Sequence, residues 1–361
     1  MPDLPISQFD PNCAGNPNNN IFGLTFTEDD ARLVIIPVPW EVTVSCNAGT
    51  ARAADQVFRA SLHVDVVDQE TDDAWKQGLF MRQPDRKILM KSDYLRKEAE
   101  LYIDYISRGE DVADNQFMSK TLKEVNEGSN YLNNWIYEQS IALMNKGKLV
   151  ALLGGDHSIT LGNLKAAAEK HGEFGVLQID AHCDLRHNYM GFSYSHASVM
   201  YNALREVSDL KKLVQIGVRD YSPAEWEEVQ HNPSRIVTYL DKEIRYRQYE
   251  GETWKQIAEE IVSKLPQKVY ISFDVDGLDP KLCPYTGTPV PGGFETEQLF
   301  YLFSKIIQSG RNIIGFDLNE VGTGESNWDA NVGARILFKL CNLLIANNTP
   351  VLNMQPEHAK V

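Results

Sequence analysis

From Lys148 onward the chain repeats one rhythm: a continuous apolar run, then a stretch with helical spacing, then another apolar run. KLVALLGG (148–155), FGVLQIDAH (174–182), KLVQIGVR (212–219), RIVTYL (235–240), KVYISFDVD (268–276) and NIIGFDLNEV (312–321) read as strands. Residues 161–172, 197–207, 222–230, 252–265, 295–309 and 328–346 read as helices between and after them. Strands that are apolar throughout must be covered on both faces, and their alternation with helices predicts a mostly parallel sheet. The expected fold class is therefore α/β, a three-layer α-β-α arrangement with helices flanking the sheet.

The first half fits the same plan. RLVIIPVPW (32–40) reads as a buried strand, residues 51–62 as a short helix, and 91–146 as a mostly helical segment broken near 108–114. Residues 1–30, rich in Asn, Pro and Asp, are expected to be irregular and to drape over the surface. No internal repeat, low-complexity tract or linker divides the chain, so residues 1–361 are read as one domain.

A formal net charge of −15 without any Lys/Arg-rich run argues against nucleic acid or an anionic membrane as the main partner, and fits a small cationic substrate. The five cysteines are scattered, with no CxxC pair, as in a reduced compartment. No apolar signal segment or membrane-length run is seen, so a cytoplasmic location is expected.

Ligands of a parallel α/β sheet bind outside the carboxyl ends of its strands. Four of these ends carry acids or acid/His clusters: GGDHS with Asp156 and His157, DAHCD with Asp180, His182 and Asp184, DVDGLDP with Asp274, Asp276 and Asp279, and DLNEV with Asp317 and Glu320. Extended backbone would put Asp180, His182 and Asp184 on one side of their segment, Ala181 and Cys183 on the other. Asp274 and Asp276 would likewise share a side. His157, Asp180, His182, Asp184, Asp274 and Asp276 then make a ligand set with four carboxylates, too negative for one ion. Two divalent cations would relieve the repulsion. Oxygen-rich ligation with two imidazoles suits Mn²⁺, with Ni²⁺, Co²⁺ or Fe²⁺ as alternatives.

GGDHS, DAHCD and SFDVDGLDP, with TGTPVPGG (286–293) and DLNEV (317–321), together resemble the ureohydrolase family of arginases, agmatinases, formimidoylglutamases, proclavaminate amidinohydrolases and guanidine hydrolases. The resemblance runs over roughly residues 32 to 346. It implies a binuclear centre in which His157 and Asp184 serve the first metal, Asp180 and Asp274 bridge, and His182 and Asp276 serve the second. It further implies that Glu320 grips the substrate guanidinium and that His196, in YSHAS, delivers a proton to the leaving amine. Hydrolysis would release urea, from a homotrimer or homohexamer.

The loop LRHNYMGFSYSHAS (185–198) is similar to the agmatinase pattern, and no free Lys or second Arg stands there to pair with a substrate carboxylate. Agmatine, giving putrescine and urea, is the favoured substrate. PVPWEVTVSCNAGT (37–50) and GTGESNWDAN (322–331) depart from that pattern. Trp40 and Trp328 are either core anchors or rings that narrow the pocket and stack on a guanidinium. The second case would suit a nickel-dependent hydrolase of free guanidine, with Thr43 or Ser45 near the cation. An arginase, another guanidino-acid hydrolase and a metal-binding regulatory homologue remain open, although the intact ligand set argues against the last.

Overall fold

The computed structural model describes residues 9–13 and 15–349. The elements in chain order are β1 (Leu33–Val38), α1 (Ala53–Ser61), β2 (Leu79–Met81), α2 (Arg86–Ser107), α3 (Gln116–Asn145), β3 (Leu149–Gly154), α4 (Thr160–His171), β4 (Phe174–Ile179) and α5 (Val199–Glu206). They continue as β5 (Leu210–Val218), α6 (Pro223–His231), β6 (Ile236–Leu240), α7 (Asp241–Tyr249), α8 (Trp254–Lys264), β7 (Lys268–Asp274), α9 (Thr296–Gln308), β8 (Asn312–Asn319) and α10 (Trp328–Asn347). The eight strands form one sheet in the order β2-β1-β3-β8-β7-β4-β5-β6, every pairing parallel.

Successive strand residues serve opposite layers. Leu33 and Ile35 of β1 join a core cluster with residues of α1, α8, α9 and α10, while Val34, Ile36 and Val38 join one with residues of α2 and α3. Burial of each such aliphatic side chain is worth about 1.5–3 kcal/mol, which is why the strands read as unbroken apolar runs. Side-chain caps fix several helix starts: Ser222 and Glu225 form a capping box on α6, with Pro223 in the first turn, and Thr253 and Gln256 form one on α8.

The helical stretch 91–146 is an antiparallel-type pair, α2 and α3, broken where a turn at Val112–Asp114 sits. Two elements had no clear sequence signal. β2 has three residues, too few for a pattern, and α7 is mostly polar. Among the described residues no helix is long and apolar enough to cross a membrane.

The start of the chain corrects the expectation of a surface drape. Residues 1–8 and 14 lie outside the described residues. Ile21, Phe22, Leu24 and Phe26 are buried in the core, and the Phe22 ring meets Phe338 of α10 edge-on at 5.0 Å. Asn20 binds edge strand β2 as a strand would: its Oδ1 accepts from the Met81 N–H (2.6 Å) and its Nδ2 donates to the Met81 carbonyl (3.0 Å). Four apolar side chains inside a polar stretch outweigh its composition.

Candidate metal centre

The acid and His clusters meet at the carboxyl ends of β3, β4, β7 and β8. His157 opens a short turn after β3, capped by Asp156, whose Oδ1 accepts from the Ser158 N–H at 3.0 Å. Asp180 follows β4 directly, Asp274 closes β7, and Asp276 lies in the turn Val275–Gly277. Asp184 and Glu320 are both held at positive φ, 53° and 61°. The DAHCD segment is therefore not extended throughout. A left-handed turn at Asp184, rather than alternation, brings its carboxylate to the cluster, and such strain of about 1–3 kcal/mol gathers at functional sites.

Three carboxylate oxygens converge on one imidazole nitrogen. His157 Nδ1 lies 3.0 Å from Asp180 Oδ2, 3.1 Å from Asp184 Oδ2 and 3.3 Å from Asp274 Oδ2. A second group joins His182 Nδ1 to Asp276 Oδ2 at 2.9 Å and to Asp180 Oδ1 at 3.4 Å. Asp180 thus gives one oxygen to each group. His157 Nε2 lies 2.8 Å from Ser272 Oγ, which donates to Asp317 Oδ1 at 2.8 Å. That bond turns Nδ1 toward the carboxylates, to donate to them while the ring is protonated and to offer its lone pair to a cation once the ring is neutral.

Electrostatics are severe. Burial, then repulsion from Asp180, pushes Asp184 up to about 7. Burial, then Asp276 and Asp180, drives Asp274 well above the carboxylate range. Burial opposes the charge on His157, yet hydrogen bonds to Asp180, Asp184 and Asp274 raise it well above the usual imidazole value. Burial would also raise Asp180, but His157 and His182 overrule it and hold it low. Without cations, the cluster balances its charge by protonating imidazoles. Divalent cations at the same two places neutralise the carboxylates and free both imidazoles as ligands, so the residues fit a metal pair. Two donor groups, His157/Asp180/Asp274 and Asp180/His182/Asp276, are compact enough to hold an ion each.

The centre opens into a cavity of about 140 Å³ whose wall includes Glu320, His196, Tyr189, Arg186 and Asp220. Glu320 Oε1 accepts from the His157 N–H (3.0 Å), while its buried Oε2 has no hydrogen-bond partner among the described residues. A side chain on Gly287 would crowd that oxygen at 3.2 Å. His196 Nδ1 lies 3.4 Å from Ser195 Oγ and 3.5 Å from Thr43 Oγ1, and burial, then the neighbouring imidazoles, lowers it to about 3.

The structure thus brings eight predicted residues together: the six candidate ligands, His196 and Glu320. Trp40 and Trp328 are placed elsewhere. Trp40 is fully buried in the cluster of Ile36, Val42, Ile88 and Leu95. Trp328 starts α10, half exposed, its indole N–H donating to the Lys281 carbonyl at 3.0 Å. Neither ring lines the cavity. Sequence reasoning missed Asp220. It follows β5, so the same rule of strand ends would have found it.

A profile of the arginase family matches residues 31–342. This chain belongs to the arginase family. An N(1)-aminopropylagmatine ureohydrolase of Thermus thermophilus is 29% identical over 294 residues, 81% of this chain and 83% of that protein. The mitochondrial agmatinase of Gallus gallus is 34% identical over 216 residues, 58% of this chain and 59% of that protein. The crystal structure of agmatine ureohydrolase of Thermoplasma volcanium shares the fold, with a TM-score of 0.66, 22% identity and coverage of 91% of this chain and 93% of that one. As an arginase-family ureohydrolase the chain is a hydrolase that cleaves guanidino groups with release of urea, in a family dependent on two metal ions.

Proposed function

We propose that this hydrolase acts on a carboxylate-free guanidino amine, with agmatine as substrate and putrescine and urea as products. The observation that carries the reading is the charge of the cavity wall. Arg186, the one arginine lining it among the described residues, is countered by Glu225, 3.5 Å from its Nε, and its guanidinium lies over the Tyr189 ring at 5.1 Å. Asp220 offers an exposed carboxylate with no side-chain partner among the described residues. Such a wall repels a substrate carboxylate and attracts a distal ammonium. The Thermus relative, matched over most of both chains, supports a second reading with a longer tail, N(1)-aminopropylagmatine.

His157, Asp180, His182, Asp184, Asp274 and Asp276 would hold a pair of divalent cations, which when bound would supply charge and a water acidified toward neutrality. Manganese is the proposed metal, with nickel the alternative, since four carboxylates and two imidazoles suit both. Glu320 Oε2 accepts the guanidinium N–H groups and sets the carbon in line for attack. Asp184 accepts a hydrogen bond from the attacking water. His196, neutral at rest, takes up the proton that the attacking water gives up and passes it to the amine as the carbon–nitrogen bond breaks. The proposed assembly is a homotrimer or homohexamer in the cytoplasm.

The deciding experiment is urea release after reconstitution with Mn²⁺ or Ni²⁺, on agmatine, N(1)-aminopropylagmatine, guanidine, arginine and 4-guanidinobutyrate. Preference for either amine is expected. Preference for a guanidino acid would overturn the electrostatic reading, and turnover of guanidine alone, with nickel, would replace it with the small-cation alternative.

A further inference from the structure

Two glutamines sit, fully buried, inside strands that should be apolar: Gln178 in β4 and Gln215 in β5. Strand register explains how they are tolerated. Thr238, Gln215, Gln178, Ser272 and Asp317 are direct neighbours on β6, β5, β4, β7 and β8, making one polar row across five strands. Thr238 Oγ1 donates to Gln215 Oε1 at 2.7 Å. Gln215 Nε2 donates to Gln178 Oε1 at 2.6 Å and to the Cys183 carbonyl at 2.7 Å. Gln178 Nε2 donates to Asp180 Oδ2 at 2.8 Å.

The direction of this chain is forced. An ionised Asp180 only accepts, so Gln178 must turn its NH₂ group toward it. Gln178 then shows its carbonyl to Gln215, which must answer with NH₂, and Gln215 can accept only from the Thr238 hydroxyl. The oxygen so gripped is the one 3.0 Å from His157 Nδ1, while the other, Oδ1, accepts from the His182 N–H at 2.7 Å. Each oxygen of the carboxylate shared by both donor groups therefore has one fixed protein donor, with its remaining lone pair left for a cation.

We infer that Thr238, Gln215 and Gln178 are positioning residues that lock Asp180 in its bridging orientation from as far as two strands away, so that the sheet itself sets cation affinity. The inference rests on the metal-centre reading. Outer partners of ligating groups commonly carry 10–100-fold in metal affinity.

The test is calorimetric titration of metal-stripped protein with Mn²⁺, together with the melting temperature of the metal-free form. Gln215→Leu is expected to weaken binding about 10–100-fold. Thr238→Val, nearly isosteric and on an edge strand, should weaken it by a smaller factor, and Thr238→Ser, which keeps the donor, should restore it. Unchanged affinity in both Gln215→Leu and Thr238→Val would overturn the inference while leaving the metal centre intact. A weakening by Thr238→Val that Thr238→Ser does not restore would also overturn it. A wild-type protein that binds no Mn²⁺ or Ni²⁺ would remove the metal-centre reading, and the inference with it.

Discussion

Tyr189 and Ser45 meet over the mouth of the cavity, the phenol hydroxyl donating to the serine hydroxyl at 3.4 Å. They belong to two loops, one after β1 and one after β4, and the α2–α3 pair holds both. Arg96 of α2 donates to the Val42 and Val44 carbonyls. Asn126 of α3 donates to the Gly191 carbonyl (3.2 Å) and accepts from the Ser193 N–H (2.8 Å). The same loops bring Thr43 and Tyr189 against His196.

Loss of the Asn126 clamp should loosen the rim without touching the metal ligands. Two lost hydrogen bonds of about 1 kcal/mol each are partly replaced by water. Asn126→Ala is expected to raise KM about fivefold with kcat within about twofold, measured by steady-state urea release. An equal fall in kcat with unchanged KM would place the loop's effect on the chemical step instead.

Asp274→Asn should abolish hydrolysis and leave the fold intact. Burial and two neighbouring carboxylates already raise Asp274 in the metal-free protein, so its ionisation at pH 7 costs folded-state stability. The neutral amide removes that cost. The metal-free variant should therefore melt at or above wild type, by scanning calorimetry, while full activity would refute the ligand assignment.

Asp220→Asn should discriminate by tail. An exposed ion pair is worth up to about 1 kcal/mol, so kcat/KM for an amine-tailed substrate should fall about two- to fivefold. Methylguanidine, with no distal ammonium, should be hydrolysed as by wild type. Equal losses on both substrates would assign Asp220 to the metal centre rather than to recognition of the tail.

Asp329, at the start of α10, gives a pH signature away from the site. Burial lifts it to about 6, although the Tyr285 N–H donates to its Oδ2 at 2.9 Å. The unfolded value is about 3.9, so this carboxyl favours the folded state at low pH and withdraws that support as pH rises through about 4 to 6. Asp329→Asn should melt higher than wild type above pH 6, and the gain should vanish near pH 4. A gain independent of pH would show that ionisation is not its cause.

Much of this was written in the sequence because the sheet obeys one local rule. Continuous apolar runs announced buried parallel strands, and acids at their ends announced convergence, so His157, Asp180, His182, Asp274 and Asp276 were legible. Asp184 was legible by composition but not by geometry, since a left-handed residue breaks the alternation that seemed to place it. The glutamine row was not legible. Gln178 and Gln215 stand out as single polar letters in apolar runs, but which strand lies beside which depends on topology that no local pattern encodes. For the same reason Phe22 gave no hint that its partner would be Phe338, more than three hundred residues on.

β8 is the last strand in the chain and lies in the middle of the sheet, between β3 and β7. Until it emerges from the ribosome, the sheet exists at most as two separate pieces, β2-β1-β3 and β7-β4-β5-β6. His157 belongs to the first piece, and all its carboxylate partners belong to the second. Closure of the sheet by its final strand therefore brings His157 to its carboxylates and completes the pair of donor groups, so that a nascent or truncated chain holds at most the Asp180/His182/Asp276 half of the centre.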